Sequence, residues 1–192
     1  MHTFKQFIER YTSVSKGDWE KIEQCLVLRT IEKEEILLSE GKICRHLYFL
    51  ESGLLHFFIS KNGNDITKFF TEAPYLFTSQ LSYNQQIAAS ENIQAIEKSV
   101  IWQISKEQAD ELVALKSWQL FAQKITQEVQ FFTEEILEAL QTETAEERYI
   151  KMLDHEQDLL QRVPLKILAS YLGIAPQSLS RIRKKIAEKS QT

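Results

Sequence analysis

The sequence predicts an α+β fold with an antiparallel β-barrel in its N-terminal half, a long helix after it and a helix-turn-helix at its C-terminal end. Residues 27–104 contain short apolar runs separated by turn residues, which is typical of strands. Residues 105–142 repeat apolar side chains every three or four positions, which is typical of a helix. Residues 163–186 have the proline and glycine spacing of two helices joined by a tight turn.

The predicted strands are short and rich in β-branched and aromatic residues, as in the runs 47–50, 54–59 and 100–104. Asn62-Gly63 lies between two apolar runs, and this dipeptide favours a two-residue hairpin turn. Many short strands at spacings of about ten residues indicate a small antiparallel barrel or sandwich.

The composition excludes several classes of protein. Cys25 and Cys44 are too few for a disulfide framework, a four-thiolate zinc site or an iron–sulfur cluster. The histidines form no His-x-His pair, and there is no glycine-rich phosphate loop and no Gly-x-Ser-x-Gly turn, so neither a metal site nor an enzyme is expected. No signal peptide and no apolar run of about 18 residues is present, which predicts a cytoplasmic protein without membrane contact.

Charge is distributed unevenly along the chain, whose formal net charge is -4. Residues 162–192 contain seven basic residues and one acidic residue, whereas residues 1–161 contain 16 basic and 26 acidic residues. A basic end on an acidic body indicates a polyanionic partner, such as double-stranded DNA, for that end only. A solvated basic tail without a partner is the alternative interpretation.

Ser105 and Gln108 have the spacing of a capping box at the start of the long helix, and no Gly or Pro interrupts the helical pattern before Thr142. The apolar stripe of this helix would either join two subunits or pack against the chain's own barrel. The first interpretation is favoured because a helix of this length extends beyond the face of a small barrel. The residues predicted to form the dimer contact are Trp118, Phe121, Ile125, Val129, Phe132 and Ile136.

The segment after Val163 has the features of a helix-turn-helix. Pro164 suits the first turn of a helix, and Gly173 suits the left-handed position that ends one. We expect Ile174 to lie in the core between the two helices and Pro176 to open the second helix. The second helix would then be the one that enters the major groove of DNA.

The second helix separates polar from apolar side chains. At about 100° per residue, Leu179, Ile182 and Ile186 share one face, and the opposite face is polar. A recognition helix needs this arrangement, since its early residues reach base edges and its later cations reach phosphates. Base contacts are expected from Gln177, Ser178 and Arg181. Phosphate contacts are expected from Ser180, Arg183, Lys184 and Lys185.

The order of these elements resembles that of the Crp/Fnr family of bacterial transcription regulators. The most specific segments are Thr144-Ala-Glu-Glu-Arg-Tyr149, Val163-Pro-Leu and Ser180-Arg-Ile-Arg-Lys184, which are similar to the Bacteroidetes-type branch of that family. The resemblance covers essentially the whole chain.

The resemblance implies three domains. They are a cyclic-nucleotide-binding-like jelly roll at residues 1–105, a dimerisation helix at residues 106–142 and a winged helix-turn-helix at residues 143–192. The family also implies a homodimer that sets two recognition helices in successive major grooves, with RNA polymerase as a further partner.

The ligand motif of the family is missing from the barrel. Nucleotide-binding members hold the ribose with a Gly-Glu pair and the cyclic phosphate with an Arg, and the matching positions here fall near Ser79-Gln80 and Ala89-Ser90. No Arg or Lys lies between residues 68 and 98, so a buried phosphate would meet no cation, and cyclic AMP is not expected to bind tightly. The barrel either binds another small molecule or is a structural platform, and no cofactor is expected. The residues expected to line any remaining pocket are Thr78, Ser79, Gln80 and Ser90.

The sequence therefore predicts a homodimeric regulator that binds specific DNA sequences, in which the barrel either responds to a small effector other than cyclic AMP or serves as a structural platform. The alternative is a dimeric ligand-sensing or adaptor protein with the same N-terminal fold and no role in DNA binding. The basic C-terminal segment and the two distinct faces of its last helix argue against this alternative.

Overall fold

The computed structural model describes residues 2–189, which form eight β-strands and nine α-helices. Residue 1 of the predicted barrel and residues 190–192 of the predicted helix-turn-helix domain lie outside the described residues. The strands are Val27–Ile31 (β1), Ile36–Leu38 (β2), His46–Ser52 (β3), Leu54–Lys61 (β4), Asn64–Glu72 (β5), Tyr75–Phe77 (β6), Asn92–Ala95 (β7) and Ser99–Ser105 (β8). The helices are His2–Glu9 (α1), Lys16–Gln24 (α2), Gln80–Gln85 (α3), Lys106–Leu112 (α4), Lys116–Thr142 (α5), Ala145–His155 (α6), Gln157–Arg162 (α7), Leu165–Leu172 (α8) and Pro176–Lys189 (α9).

The strands form two separate antiparallel sheets, with the strand orders β1-β8-β3-β6 and β2-β7-β4-β5. The predicted antiparallel, jelly-roll-like arrangement is confirmed. The prediction of a barrel is wrong, because within residues 2–189 no strand ladder joins an edge of one sheet to an edge of the other. Closure is unnecessary because the two inner faces bury a shared core. This core includes Ile31, Leu50 and Ile101 from the first sheet and Leu55, Phe57 and Ile93 from the second.

The β4–β5 hairpin follows from its local sequence. Asn62 and Gly63 have positive φ angles of 53° and 76°, as a tight two-residue hairpin turn requires. Lys61 pairs with Asn64 directly across the turn, so the predicted hairpin is confirmed. Because β5 is the edge strand of its sheet, it is open to contact with other parts of the chain.

The sequence predicted one continuous long helix up to Thr142, but the structure divides this segment into two helices, α4 and α5. The capping box at Ser105 is present, but residues 113–115 separate α4 from α5, and Leu115 is extended with φ -87° and ψ 125°. This break turns the start of α5 so that Trp118 enters a core shared with α1. Tertiary packing therefore overrides the helical preference of a segment that has neither Gly nor Pro.

A second apolar core joins α1, α2 and the start of α5 to the first sheet. Phe4 of α1 stacks on Phe49 of β3 with their ring centroids 4.5 Å apart. Phe121 of α5 meets Phe4 and Phe7 in edge-on contacts, with centroid distances of 6.4 and 6.1 Å. These aromatic contacts set the direction in which α5 leaves the sheets.

The C-terminal helical unit consists of the four helices α6 to α9. The short helix α7 begins where Glu156 leaves helical geometry with φ -132° and ψ 40°. Residues 106–189 contain no β-strand, so the wing implied by the family resemblance is not found in that part of the chain. The connections between these helices are short turns that leave no room for a pair of extended strands.

Candidate nucleic-acid interface

The turn between α8 and α9 has the left-handed glycine that the sequence predicted. Gly173 ends α8 in the left-handed conformation with φ 72°, and the Ile174 N–H bonds to the Ala169 carbonyl at 3.0 Å. Pro164 lies one residue before α8 rather than within its first turn, and Pro176 is the first residue of α9. The glycine matters because a side chain at this φ would be strained.

The inner side of α9 is anchored in a third apolar core. Leu179 is fully buried there together with Leu168 and Leu172 of α8, and Ile182 and Ile186 pack against the same core. Burial of these aliphatic side chains holds the rotation of α9 about its own axis, because any other rotation would expose them.

The outer side of α9 carries the residues predicted to contact bases. Gln177 and Arg181 are exposed, and Ser178 is half-buried. Among residues 2–189, the side chains of Gln177 and Arg181 have no hydrogen-bonding or ion-pair partner. Their polar groups are therefore free to bind an external ligand.

The residues predicted to contact phosphates are in part engaged within the chain. Lys184 is exposed, with Glu188 3.9 Å away, whereas the Lys185 ammonium lies 2.7 Å from the Glu146 carboxylate. The Ser180 hydroxyl donates to the Pro176 carbonyl at 3.1 Å.

The fourth predicted phosphate contact, Arg183, lies against the C-terminal helical unit itself. Its guanidinium is 5.6 Å from the centre of the Tyr149 ring, and its Nε is buried without a hydrogen-bonding partner. Lys184 is therefore the predicted phosphate contact that is most available.

An arginine that the sequence did not single out fastens the C-terminal helical unit to the second sheet. Arg162 at the end of α7 pairs with Glu72 and Glu97, at 2.7 Å for Glu97, and donates to the Gly53 carbonyl at 3.1 Å. The hydrogen bonds to the carboxylates of Glu97 and Glu72 raise the pKa of Arg162. The guanidinium thus joins the β3–β4 turn, β5 and the β7–β8 turn to the helices.

A second fastening point lies between α8 and the edge strand β5. The Ser170 hydroxyl accepts the Thr67 N–H at 2.9 Å and donates to the Asp65 carbonyl at 2.7 Å. The rings of Phe70 and Tyr171 lie 5.0 Å apart beside it. The α8–α9 pair is therefore positioned directly on the sheets through α8 and does not depend on α5 alone.

Replacing Arg162 with Ala should loosen this attachment while leaving the sheets folded. The side chain is about 29 % exposed, so we expect a loss of only about 1–2 kcal/mol of unfolding free energy. Hydrogen exchange should accelerate at the Thr67 amide and in α8. Lys98→Ala serves as the control for loss of a surface cation and should leave exchange at these amides unchanged. Unchanged exchange in Arg162→Ala would contradict the role given to Arg162.

The residues predicted to line an effector pocket do not form one polar cavity. Ser79 is buried and donates to the Glu91 carboxylate at 2.9 Å, and Glu91 also pairs with Lys68. The Thr78 hydroxyl donates to the His46 carbonyl at 2.9 Å. The other two members of the predicted set are Gln80 and Ser90, both of which are exposed.

Lys68 is a cation near the expected ligand site that the sequence argument missed. It lies at the edge of the segment without cations, and the β4–β5 hairpin brings it to Glu91 across the second sheet. Because Glu91 neutralises it, Lys68 does not supply the uncompensated positive charge that a buried phosphate needs.

The predicted dimer residues divide into two groups along α5. Trp118, Phe121 and Ile125 are buried in the chain's own second core, so they are not available to a second subunit. The distal stripe continues the same helical face with Val129, Phe132, Ile136 and Leu140, of which Phe132 and Leu140 are 44 % and 55 % exposed.

Within residues 2–189, no group of three or more His, Cys, Asp or Glu side chains is placed to hold a metal ion. None of the helices in that range combines the length and the apolar character needed to cross a bilayer.

Comparison with known proteins defines the class of fold. Residues 28–115 match the family model of the cyclic nucleotide-binding domain. A comparison with curated proteins finds no match. The chain has the fold of Crp/Fnr-type regulators, as three solved structures illustrate.

A variant of CooA from Carboxydothermus hydrogenoformans is 15% identical with a TM-score of 0.70, and the match covers 93% of this chain and 82% of that one. A regulator of the crp/fnr family from Eubacterium rectale is 14% identical with a TM-score of 0.67, covering 92% and 85%. The catabolite activator protein of Thermus thermophilus is 17% identical with a TM-score of 0.58, covering 94% and 87%. At these identities the similarity establishes the fold, and function has to be argued from the side chains.

Proposed function

We propose that the protein is a homodimeric transcription regulator of the Crp/Fnr type that binds specific double-stranded DNA sequences through α9. The observation that carries this proposal is that α9 has two distinct sides. One side is anchored by the buried Leu179, and the other exposes Gln177 and Arg181, whose side chains have no partner within residues 2–189. A recognition helix requires both an anchored side and a polar side that can reach base edges. The fold similarity to Crp/Fnr regulators supports the same proposal.

Gln177 and Arg181 have the chemistry to distinguish bases. The Gln177 amide can form a pair of hydrogen bonds with adenine, and the Arg181 guanidinium can do the same with guanine. The two residues are four positions apart, or about 6 Å along the helix, so they address different base pairs of one half-site. Ser178 adds a hydroxyl at the edge of the same face.

Phosphate contacts would begin with Lys184, which is exposed. Lys185 would have to exchange the Glu146 carboxylate for a phosphate, and the Ser180 hydroxyl would have to leave the Pro176 carbonyl. Arg183 packs on Tyr149, so in the proposed complex its charge acts from a fixed position at the side of α9. These contacts position the helix without reading the sequence.

The distal stripe of α5 is the proposed contact with a second copy of the chain. It lies on the same helical face as the buried Ile125, and its residues Phe132 and Leu140 are exposed to solvent. An apolar stripe with helical spacing is stabilised when a second helix covers it, and the same stripe on another copy has the matching spacing. Two chains paired in this way would present two α9 helices to half-sites about 34 Å apart.

The N-terminal domain is proposed to respond to an effector other than cyclic AMP, or to serve as a platform. The Glu91 carboxylate lies beside Ser79, one of the positions that match the nucleotide-binding motif, and would repel a phosphate there. RNA polymerase remains a partner implied by the resemblance.

Selection of binding sites from random DNA duplexes, followed by salt titration, tests the proposal directly. Arg181→Ala should cost about 1–3 kcal/mol on the selected site and relax the preference for one base pair. Lys184→Ala should weaken binding to all DNA alike and reduce the slope of log K against log salt by about one. Lys16→Ala, which removes an exposed charge from α2, serves as the control and should change neither.

The competing function, a dimeric adaptor without DNA binding, predicts a different outcome. Selection would then recover no sequence, and any weak DNA binding would be insensitive to Arg181→Ala. A loss at Lys184→Ala that depends on the base sequence would contradict the assignment of faces on α9.

A further inference from the structure

A surface cleft at one end of the sheets includes no residue of α5 or α9. It has a volume of about 360 Å³ and lies where β1, β3 and β8 meet the segment that follows β2. None of the residues predicted to line an effector pocket borders this cleft, so it is distinct from the site considered around Ser79.

The cleft is lined by positive charge. Arg29, Lys42, Arg45 and His46 border it, and no aspartate or glutamate does. The chain as a whole has 27 acidic and 23 basic residues, so a cleft whose charged border residues are all basic differs from the chain's overall charge balance. Two polar side chains, Ser39 and Gln103, provide additional hydrogen-bonding groups at its border.

Two of the cations that border the cleft have no ion-pair partner within residues 2–189. Lys42 and Arg45 are exposed, and among residues 2–189 neither has a carboxylate within ion-pair distance. Arg29 pairs with Glu35 at 2.7 Å through Nη2, which leaves its other N–H groups without a partner in the described residues. Guanidinium and ammonium groups without an ion-pair partner, such as those of Arg45 and Lys42, favour an anion with several oxygen atoms.

His46 reports on the electrostatics of the cleft. Burial is the main cause that lowers its pKa, and the charges of Arg29 and Arg45 lower it further, while Glu107 acts in the opposite direction. The His46 ring lies 5.8 Å from the Tyr48 ring, and both residues border the cleft. An anion bound beside these cations would stabilise the imidazolium and raise the pKa of His46.

The remaining wall of the cleft is apolar, since Leu37, Ile43 and the ring of Tyr48 border it. A ligand that fits both walls carries negative charge at one end and an aliphatic or flat group at the other. We propose that this cleft binds a small organic phosphate, held by Lys42, Arg45, Arg29 and His46. The inference is independent of DNA binding by α9.

Titration with pyrophosphate, followed through the imidazole resonances of His46 at constant ionic strength, tests the inference. We expect a saturable shift and a higher pKa for His46, with no change for His56, which is buried in β4 of the other sheet. Lys42→Ala and Arg45→Ala should each weaken binding about tenfold. Lys98→Ala, which removes a lysine paired with Glu32 outside the cleft, should leave it unchanged.

Three outcomes would overturn the inference. The first is a linear, unsaturable shift that sodium chloride reproduces. The second is unchanged affinity in Lys42→Ala and Arg45→Ala; both positions are exposed, so a shared melting temperature would show that the variants are folded. The third is binding of an acidic peptide but not of pyrophosphate, which would make the cleft a protein-docking surface.

Discussion

Phe132→Glu should convert the protein from a dimer to a monomer and weaken its binding to a selected DNA site at least about a hundredfold, or about 2.7 kcal/mol. Phe132 is 44 % exposed on the distal stripe, between Val129 and Ile136, where the proposed second subunit would cover it. A carboxylate would be buried in that contact without a partner, which costs more than the lost phenyl contact alone. Analytical ultracentrifugation gives the mass, and fluorescence anisotropy at fixed salt gives the affinity.

The adjacent phenylalanine provides a matched control. Phe131 is 62 % exposed and lies about 145° around the helix from the centre of the distal stripe. Phe131→Glu should therefore leave the dimer and DNA binding intact. If both variants remain dimeric, the distal stripe is not the subunit contact, and if both become monomeric, the contact is not confined to one face of α5.

Phe121→Ala should lower the free energy of unfolding by about 3–5 kcal/mol. Phe121 is fully buried, and its ring contacts those of Phe4, Phe7, Tyr11 and Trp118. Removing the ring leaves a cavity that these neighbours cannot fill without breaking their own aromatic contacts. Urea denaturation followed by circular dichroism measures the loss.

Phe131→Ala removes the same ring from an exposed position of the same helix and should change the free energy of unfolding by less than about 0.5 kcal/mol. Comparable losses in the two variants would mean that helical propensity, and not the aromatic core, dominates the stability of α5. A small loss in Phe121→Ala alone would mean that the core collapses to fill the cavity.

Local features of this fold could be predicted from the sequence because their physical causes are local. Asn62-Gly63 specifies the β4–β5 turn through positive φ angles, and Ser105 caps α4 with its own hydroxyl. The apolar and polar sides of α9 could likewise be separated from helical geometry alone, which placed Leu179 on the buried side and Arg181 on the exposed one.

The rest depends on contacts between residues that are distant in the chain. Arg162 meets Glu97 and Glu72 across 65 and 90 positions, and no local pattern connects them. The interruption after α4 allows Trp118 to pack in the aromatic core. The periodic apolar residues of the sequence do not indicate this long-range contact. The same applies to Glu91, whose pairing with Lys68 depends on how the strands of the second sheet are ordered.

The interruption at residues 113–115 means that α4 and α5 do not act as one rigid helix. The direction of α5 is set by the side-chain contacts around Phe121. The helix has 27 residues and therefore extends for about 40 Å from its base. A tilt of about 5° at the cluster around Phe121 would carry the far end through about 3.5 Å, roughly one base-pair step. Modest changes in aromatic volume near α1 would thus displace the far end of α5 together with the segment attached to it.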